Sequence, residues 1–193
     1  MTLTKENLEV LFYKLGDELH RRKELVDITV YGGCALLLKY GLRDETKDVD
    51  AYFDNWDAHT LETLAKTLAN EHGLDDKWLN NDAEIFKADK EDLDIYKKYP
   101  DAGKYGLRIS VPKPDYMLAL QVQRLSTMTE QEFYSKESKS LKDIVNLSKL
   151  LNYDRNKTLS AFNTFYPKSF FTKSVVEWVN RTFEHTHEME MKK

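Results

Sequence analysis

The stretch Val30–Phe53, VYGGCALLLKYGLRDETKDVDAYF, decides how this chain is read. Gly32 and Gly33 stand at its head, Asp48 and Asp50 near its tail, and an apolar run lies between them. Just upstream, LVDITV alternates so that Val26, Ile28 and Val30 share one face, the pattern of a strand that ends in glycines. CALLLKYG reads as a short buried helix closed by Gly41 at its C′ position. KDVDAYF alternates again and predicts a second strand with Val49, Ala51 and Phe53 facing inward. Side chains on a strand repeat with period two, so Asp48 and Asp50 point to the same side.

Two like charges held that close repel. They are tolerable on a solvated face, or useful where divalent cations sit between them. Carboxylate oxygens are the hard donors Mg²⁺ takes, from one or two protein groups with phosphate and water completing the shell. Gly32 and Gly33 fall where strand turns into helix, and without Cβ atoms they let backbone amides approach an anion. The helix that starts near Cys34 offers free amides and a positive dipole end to phosphate. Singly, each feature has a plain reading, a tight connection for the glycines and a solvated strand face for the acids. Jointly they offer a phosphate cradle and a metal-holding pair, the parts nucleotidyl transfer requires. Arg43 and Lys47 flank the pair, as phosphate contacts or as solvated charges. Cys34 reads as a small buried residue beside the turn.

Outward from this stretch, Leu8, Leu11, Phe12, Leu15 and Leu19 recur at helical steps, with Thr4 as N-cap. Asp57 is placed to cap a helix with the stripe Leu61, Leu64, Ala65 and Leu68, stopped at Gly73. Strand-like pieces fall around Ala83 to Phe86 and Leu93 to Tyr96. YGLRISVPKP predicts a strand with Leu107, Ile109 and Val111 on one face, and Pro114 at N1 of the helix that follows. The remainder is helical, with stripes at Ile144, Leu147, Leu150 and Leu151 and at Val175, Val176, Val179 and Phe183. The fold class is therefore α+β: an α/β region over 1–113 and a helical C-terminal lobe over 114–193, read as one structural unit.

The chain has 193 residues, 41% of them apolar and 32% charged, with net charge −4. No strongly basic surface advertises nucleic-acid binding. The single cysteine excludes an internal disulfide, and no Cys/His set has zinc spacing. With no apolar leader pattern at the start and no bilayer-length apolar run, the expected setting is cytoplasmic, with no membrane partner.

Gly-Gly, short helix and Asp-x-Asp strand together resemble the signature of the nucleotidyltransferase superfamily related to DNA polymerase β. More narrowly, YGGCALLLKYGLRDETKDVDAYF is similar to the AbiEii-like bacterial nucleotidyltransferases, where a Thr-Lys-Asp-aliphatic-Asp string is typical. The resemblance covers two further segments, GLRISVPKPDYMLALQVQRL as the family's strand-Pro-helix and SLKDIVNLSKLL as its later Lys-Asp helix.

The resemblance implies a nucleotidyltransferase-type mixed β-sheet flanked by helices. It implies a Mg²⁺-dependent enzyme, with two metals when a nucleoside triphosphate (NTP) is bound. The enzyme would move a nucleoside monophosphate from the NTP to an acceptor hydroxyl, on a tRNA end or a protein. It further implies the toxin of a bacterial toxin–antitoxin or phage-defence system, with a cognate antitoxin. Asp48 and Asp50 would hold metal, and Gly32, Gly33 and Cys34 would bind phosphates. Asp143 would complete the catalytic acids, with Asp94 as the substitute. Two positions depart from the family: Gln121 stands where it carries a lysine, and Asn146 where it carries a second acid. Those departures favour the alternative, a catalytically silent module that binds nucleotide or a partner protein.

Overall fold

The computed structural model describes residues 2–53, 55–83, 87–126, 129, 139–167, 170 and 172–191. They form two compact units, Met1–Pro112 and Lys113–Lys193. The first contains, in chain order, β1 (Leu3–Thr4), α1 (Lys5–Arg22), β2 (Leu25–Val30), α2 (Gly32–Ala35), β3 (Glu45–Thr46), β4 (Val49–Phe53), α3 (Asn55–His72), β5 (Leu79–Asn80), β6 (Leu93–Tyr99) and β7 (Gly106–Pro112). The protein is thus mixed α/β, with a five-stranded mixed sheet ordered β5-β4-β2-β7-β6. Strand β2 pairs antiparallel with β4 and parallel with β7. The edge strands differ in sense: β5 runs parallel to β4, and β6 antiparallel to β7.

Alternation decides the sheet's faces. Val26, Ile28, Val30, Val49, Ala51, Phe53, Leu107, Ile109 and Val111 are all buried. Helix α1 adds Leu8, Leu11, Phe12, Leu15 and Leu19 to this core. It starts in a capping box, where the Asn7 amide donates to Thr4 Oγ1 at 3.4 Å. This satisfies an amide that the first turn leaves without a helical acceptor. Gly16, in the middle of α1, has a packing reason: a Cβ there would stand 2.1 Å from the Tyr99 carbonyl oxygen.

Several expectations change here. The helix after the glycines begins at Gly32 rather than near Cys34, and it passes at Leu36–Tyr40 into a π-helical turn that Gly41 closes at φ +63°. Cys34 through Leu38 are all buried, more than a full turn, so only Lys39 at the end of the segment is exposed and no apolar stripe guides an amphipathic reading. Helix α3 begins at Asn55, which puts Asp57 inside its first turn instead of at the cap. Strand β6 extends to Tyr99, beyond the expected Tyr96, with a register shift between Ile95 and Lys97. Of the strand expected over Ala83–Phe86, Ala83 lies in a turn and 84–86 fall outside the described residues.

The second unit holds α4 (Pro114–Ser126), α5 (Lys139–Leu151), α6 (Arg155–Phe165) and α7 (Lys173–Met191). Met117, Leu118, Val122, Ile144, Leu147, Phe162, Val175 and Val179 are buried together in it. Leu150, expected in the α5 stripe, is exposed. The buried face runs instead through Ser148, whose hydroxyl meets that of Thr158 at 3.0 Å. Among the described residues, no helix is long and apolar enough to cross a membrane.

Candidate functional site

The stretch that directs the reading folds back on itself across the β2–β4 ladder. Val30 pairs with Ala51, and one residue on the Tyr31 amide donates to the Asp50 carbonyl at 2.9 Å. That bond sets the next residue, Gly32, against Asp50: a Cβ on Gly32 would lie 3.5 Å from Asp50 Oδ2. Gly32 has φ +55°, a left-handed conformation that side-chain-bearing residues rarely adopt, and this swings the chain from strand into helix. Gly33 is glycine for a different reason. A Cβ there would stand 2.8 Å from Arg43 Nη1 and 2.9 Å from Thr46 Oγ1. The first helical amide with a partner in the turn is that of Ala35, which donates to the Tyr31 carbonyl at 3.3 Å. Those of Gly32, Gly33 and Cys34 precede it, at the positive end of the segment.

Asp50 lies within β4 and is half-buried, whereas Asp48 immediately precedes the strand and is exposed. The Thr46 hydroxyl donates to the Asp48 carbonyl at 3.1 Å and shapes the approach to β4. Although Asp48 as a residue is exposed, its carboxyl loses hydration, and this first cause pushes its pKa above the ordinary range. The charge of Asp50 acts in the same direction, and that of Asp82 adds to it, against a downward pull from Lys47. Burial first, then Asp50 and Asp48, push the Cys34 thiol far up. A fully protonated, buried thiol is no nucleophile.

The structure therefore gathers Gly32, Gly33, Cys34, Arg43, Asp48 and Asp50 around one turn, with the exposed Lys47 beside Asp48. Asp94 stands apart. It lies on β6, separated from β4 by β2 and β7, and makes an ion pair with Lys39 at 3.9 Å. Asp143 is buried on α5 in the second unit. Gln121, on α4, is buried with its Oε1 lacking a hydrogen-bond partner among the described residues, and Asn146 is half-buried on α5.

Residues that sequence reading passed over also belong here. Asn80, beside Asp50 in the β4–β5 ladder, donates from Nδ2 to Asp50 Oδ1 at 3.2 Å. Its Oδ1 accepts the Asp82 amide at 3.0 Å. The only sequence signal was the polar run Asn80-Asn81-Asp82, which carries no periodicity.

The donor chemistry accommodates Mg²⁺ in one particular form. Among the described residues, no group of three or more His, Cys, Asp or Glu side chains is set to hold a metal ion. Two hard carboxylates two residues apart, near enough for the charge of Asp50 to act on Asp48, suit an ion that arrives with phosphate and keeps waters, rather than one held in an all-protein cage. No family model, curated protein or solved structure matches the chain.

Proposed function

We propose that this protein is a nucleotidyltransferase, with a fold of the polymerase-β-related type. It moves a nucleoside monophosphate from an NTP to an acceptor hydroxyl and releases pyrophosphate. In its more particular form the proposal is an AbiEii-like toxin that modifies a tRNA end or a protein side chain and is restrained by a cognate antitoxin. The observation that supports the reading is that Asp50 Oδ2 lies against Gly32, where a Cβ would stand 3.5 Å from it, so one carboxylate of the pair adjoins the glycine turn.

Asp48 and Asp50 would hold Mg²⁺, which supplies charge neutralisation on the triphosphate and acidifies the attacking hydroxyl. The amides of Gly32, Gly33 and Cys34 would bind phosphate oxygens, and Arg43 brings a cation to the same turn. Lys47 adds positive charge beside Asp48. By the resemblance alone, Asp143, which the structure describes in the second unit, would take the acceptor's proton or complete the acidic set. In the transfer the acceptor oxygen bonds to the α-phosphorus as the bond to pyrophosphate breaks.

The test is incubation with each α-labelled NTP, Mg²⁺, and total RNA or lysate. Label should pass to an acceptor with the wild type and not with Asp48→Ala. No transfer by the wild type, or undiminished transfer by the variant, overturns the reading. Gln121, neutral and buried, favours a second reading, a silent module that binds nucleotide or a partner protein. Calorimetry showing NTP binding without turnover selects it.

A further inference from the structure

We propose that Asn80 is a positioning residue, holding Asp50 so that one carboxylate oxygen is engaged and the other is directed at the glycine turn. The proposal rests on the metal-binding role given to Asp50 above.

The two ends of the Asn80 carboxamide are used differently. Nδ2 donates to Asp50 Oδ1 at 3.2 Å, while Oδ1 accepts the Asp82 amide at 3.0 Å. The second bond fixes the amide plane, so the nitrogen rather than the oxygen faces Asp50. An acceptor turned to a carboxylate would repel it, and this arrangement avoids that. With Oδ1 occupied, Asp50 keeps Oδ2 on the side of Gly32, where a Cβ would lie 3.5 Å away. The carboxylate's rotation about its last torsion is thereby restricted to one presentation.

The support beneath Asn80 is itself anchored. Asn80 pairs with Asp50 in the parallel β4–β5 ladder. The Phe53 amide donates to Asn81 Oδ1 at 3.0 Å, and the Ala83 amide to the Ala51 carbonyl at 3.3 Å. Residues 80–83 are thus laced along β4 from Asp50 to Phe53, and the Val49 amide donates to the Trp78 carbonyl at 2.7 Å on the other side of the Asp50 contact. Outer-sphere hydrogen bonds of this kind orient a metal's ligands, and their loss typically weakens metal affinity about 10–100-fold.

Asn81 supplies the control, because it ties the same turn to β4 without touching Asp50. The full chain is titrated with Mn²⁺ alone, reading the free ion by electron paramagnetic resonance, for wild type, Asn80→Ala, Asn81→Ala and Asp50→Ala. Melting temperatures are taken in parallel, and the Mg²⁺ half-saturation of label transfer is measured. Asn80→Ala should weaken Mn²⁺ binding about tenfold and raise the Mg²⁺ requirement similarly, with transfer recovering at high Mg²⁺. Asn81→Ala should lower the melting temperature and leave both metal readouts in place. Asn80→Ser, whose side chain is one bond shorter, is read in the same way as the alanine variant. Mn²⁺ affinity unchanged in Asn80→Ala, or lost equally in Asn81→Ala, overturns the positioning role while leaving the enzyme reading intact. A wild type that binds Mn²⁺ no better than Asp50→Ala overturns the metal reading itself, and the role of Asn80 with it.

Discussion

Arg43 lies over Gly33 so closely that a Cβ on the glycine would stand 2.8 Å from its Nη1. The neighbouring Gly32 tolerates the space for a Cβ and is constrained by its φ of +55° instead. Two adjacent glycines therefore answer two separate demands, and substitution separates them. Gly32→Ala should cost about 1–2 kcal/mol of stability from backbone strain, measured by urea denaturation. Gly33→Ala should displace the Arg43 guanidinium and weaken NTP binding about tenfold, equivalent to about 1.4 kcal/mol, measured by calorimetry.

Mg²⁺ together with an unreactive NTP analogue should raise the melting temperature of the wild type. A ligand that binds only the native state at about 100 times its dissociation constant adds about 2.7 kcal/mol. Asp48→Ala and Asp50→Ala should lose that shift. An unchanged wild-type melting temperature would count against any nucleotide site in this chain.

Gly16 lets α1 approach the Tyr99 backbone closely. A Cβ there would meet the Tyr99 carbonyl oxygen at 2.1 Å and its carbonyl carbon at 2.6 Å. Backbone cannot step aside as a side-chain tip can, so Gly16→Ala should destabilise by about 3 kcal/mol, despite alanine's better helix propensity. The denaturant midpoint should fall with little change in slope.

Glu9 on α1 accepts from Tyr96 at 2.5 Å, Lys97 at 2.9 Å and Tyr99 at 2.8 Å. Loss of hydration pushes its pKa up, but the three hydrogen bonds outweigh this and hold it below the usual glutamate value. A depressed folded pKa means the unfolded chain binds the proton more readily. The stability Glu9 contributes is therefore present above the ordinary glutamate pKa and is lost as pH falls through the folded one. Glu9→Gln should lower stability at pH 7 by about 1–3 kcal/mol. The gap to wild type should close as thermal melts are carried into the acid range.

Local pattern made much of the first unit readable. Period two in LVDITV, VDAYF and LRISV matched buried faces, because one side of each strand meets the core. Thr4, Gly41, Gly73 and Pro114 marked helix ends where dihedral preference and orphan backbone groups act locally. The α2–π segment was harder to read, since unbroken burial from Cys34 to Leu38 erases the amphipathic signal. Leu150 was misplaced because Ser148, paired with Thr158, takes the buried position of α5.

By itself, the sequence determined the alternating strands, the helix stripes, and a glycine pair and an acidic pair inside one 24-residue stretch. Tertiary structure decided which parts of that stretch meet. The Tyr31–Asp50 ladder bond sets Gly32 beside a carboxylate, and the fold lays Arg43 on Gly33 and brings Asn80 from about 30 residues away to Asp50. It also left Asp94 on β6, with β2 and β7 between it and the strand that carries Asp50. Periodicity reports which face of an element is buried, a property of neighbours in the chain. Strand order and register report which elements are adjacent, and those follow from long-range packing that no local window contains.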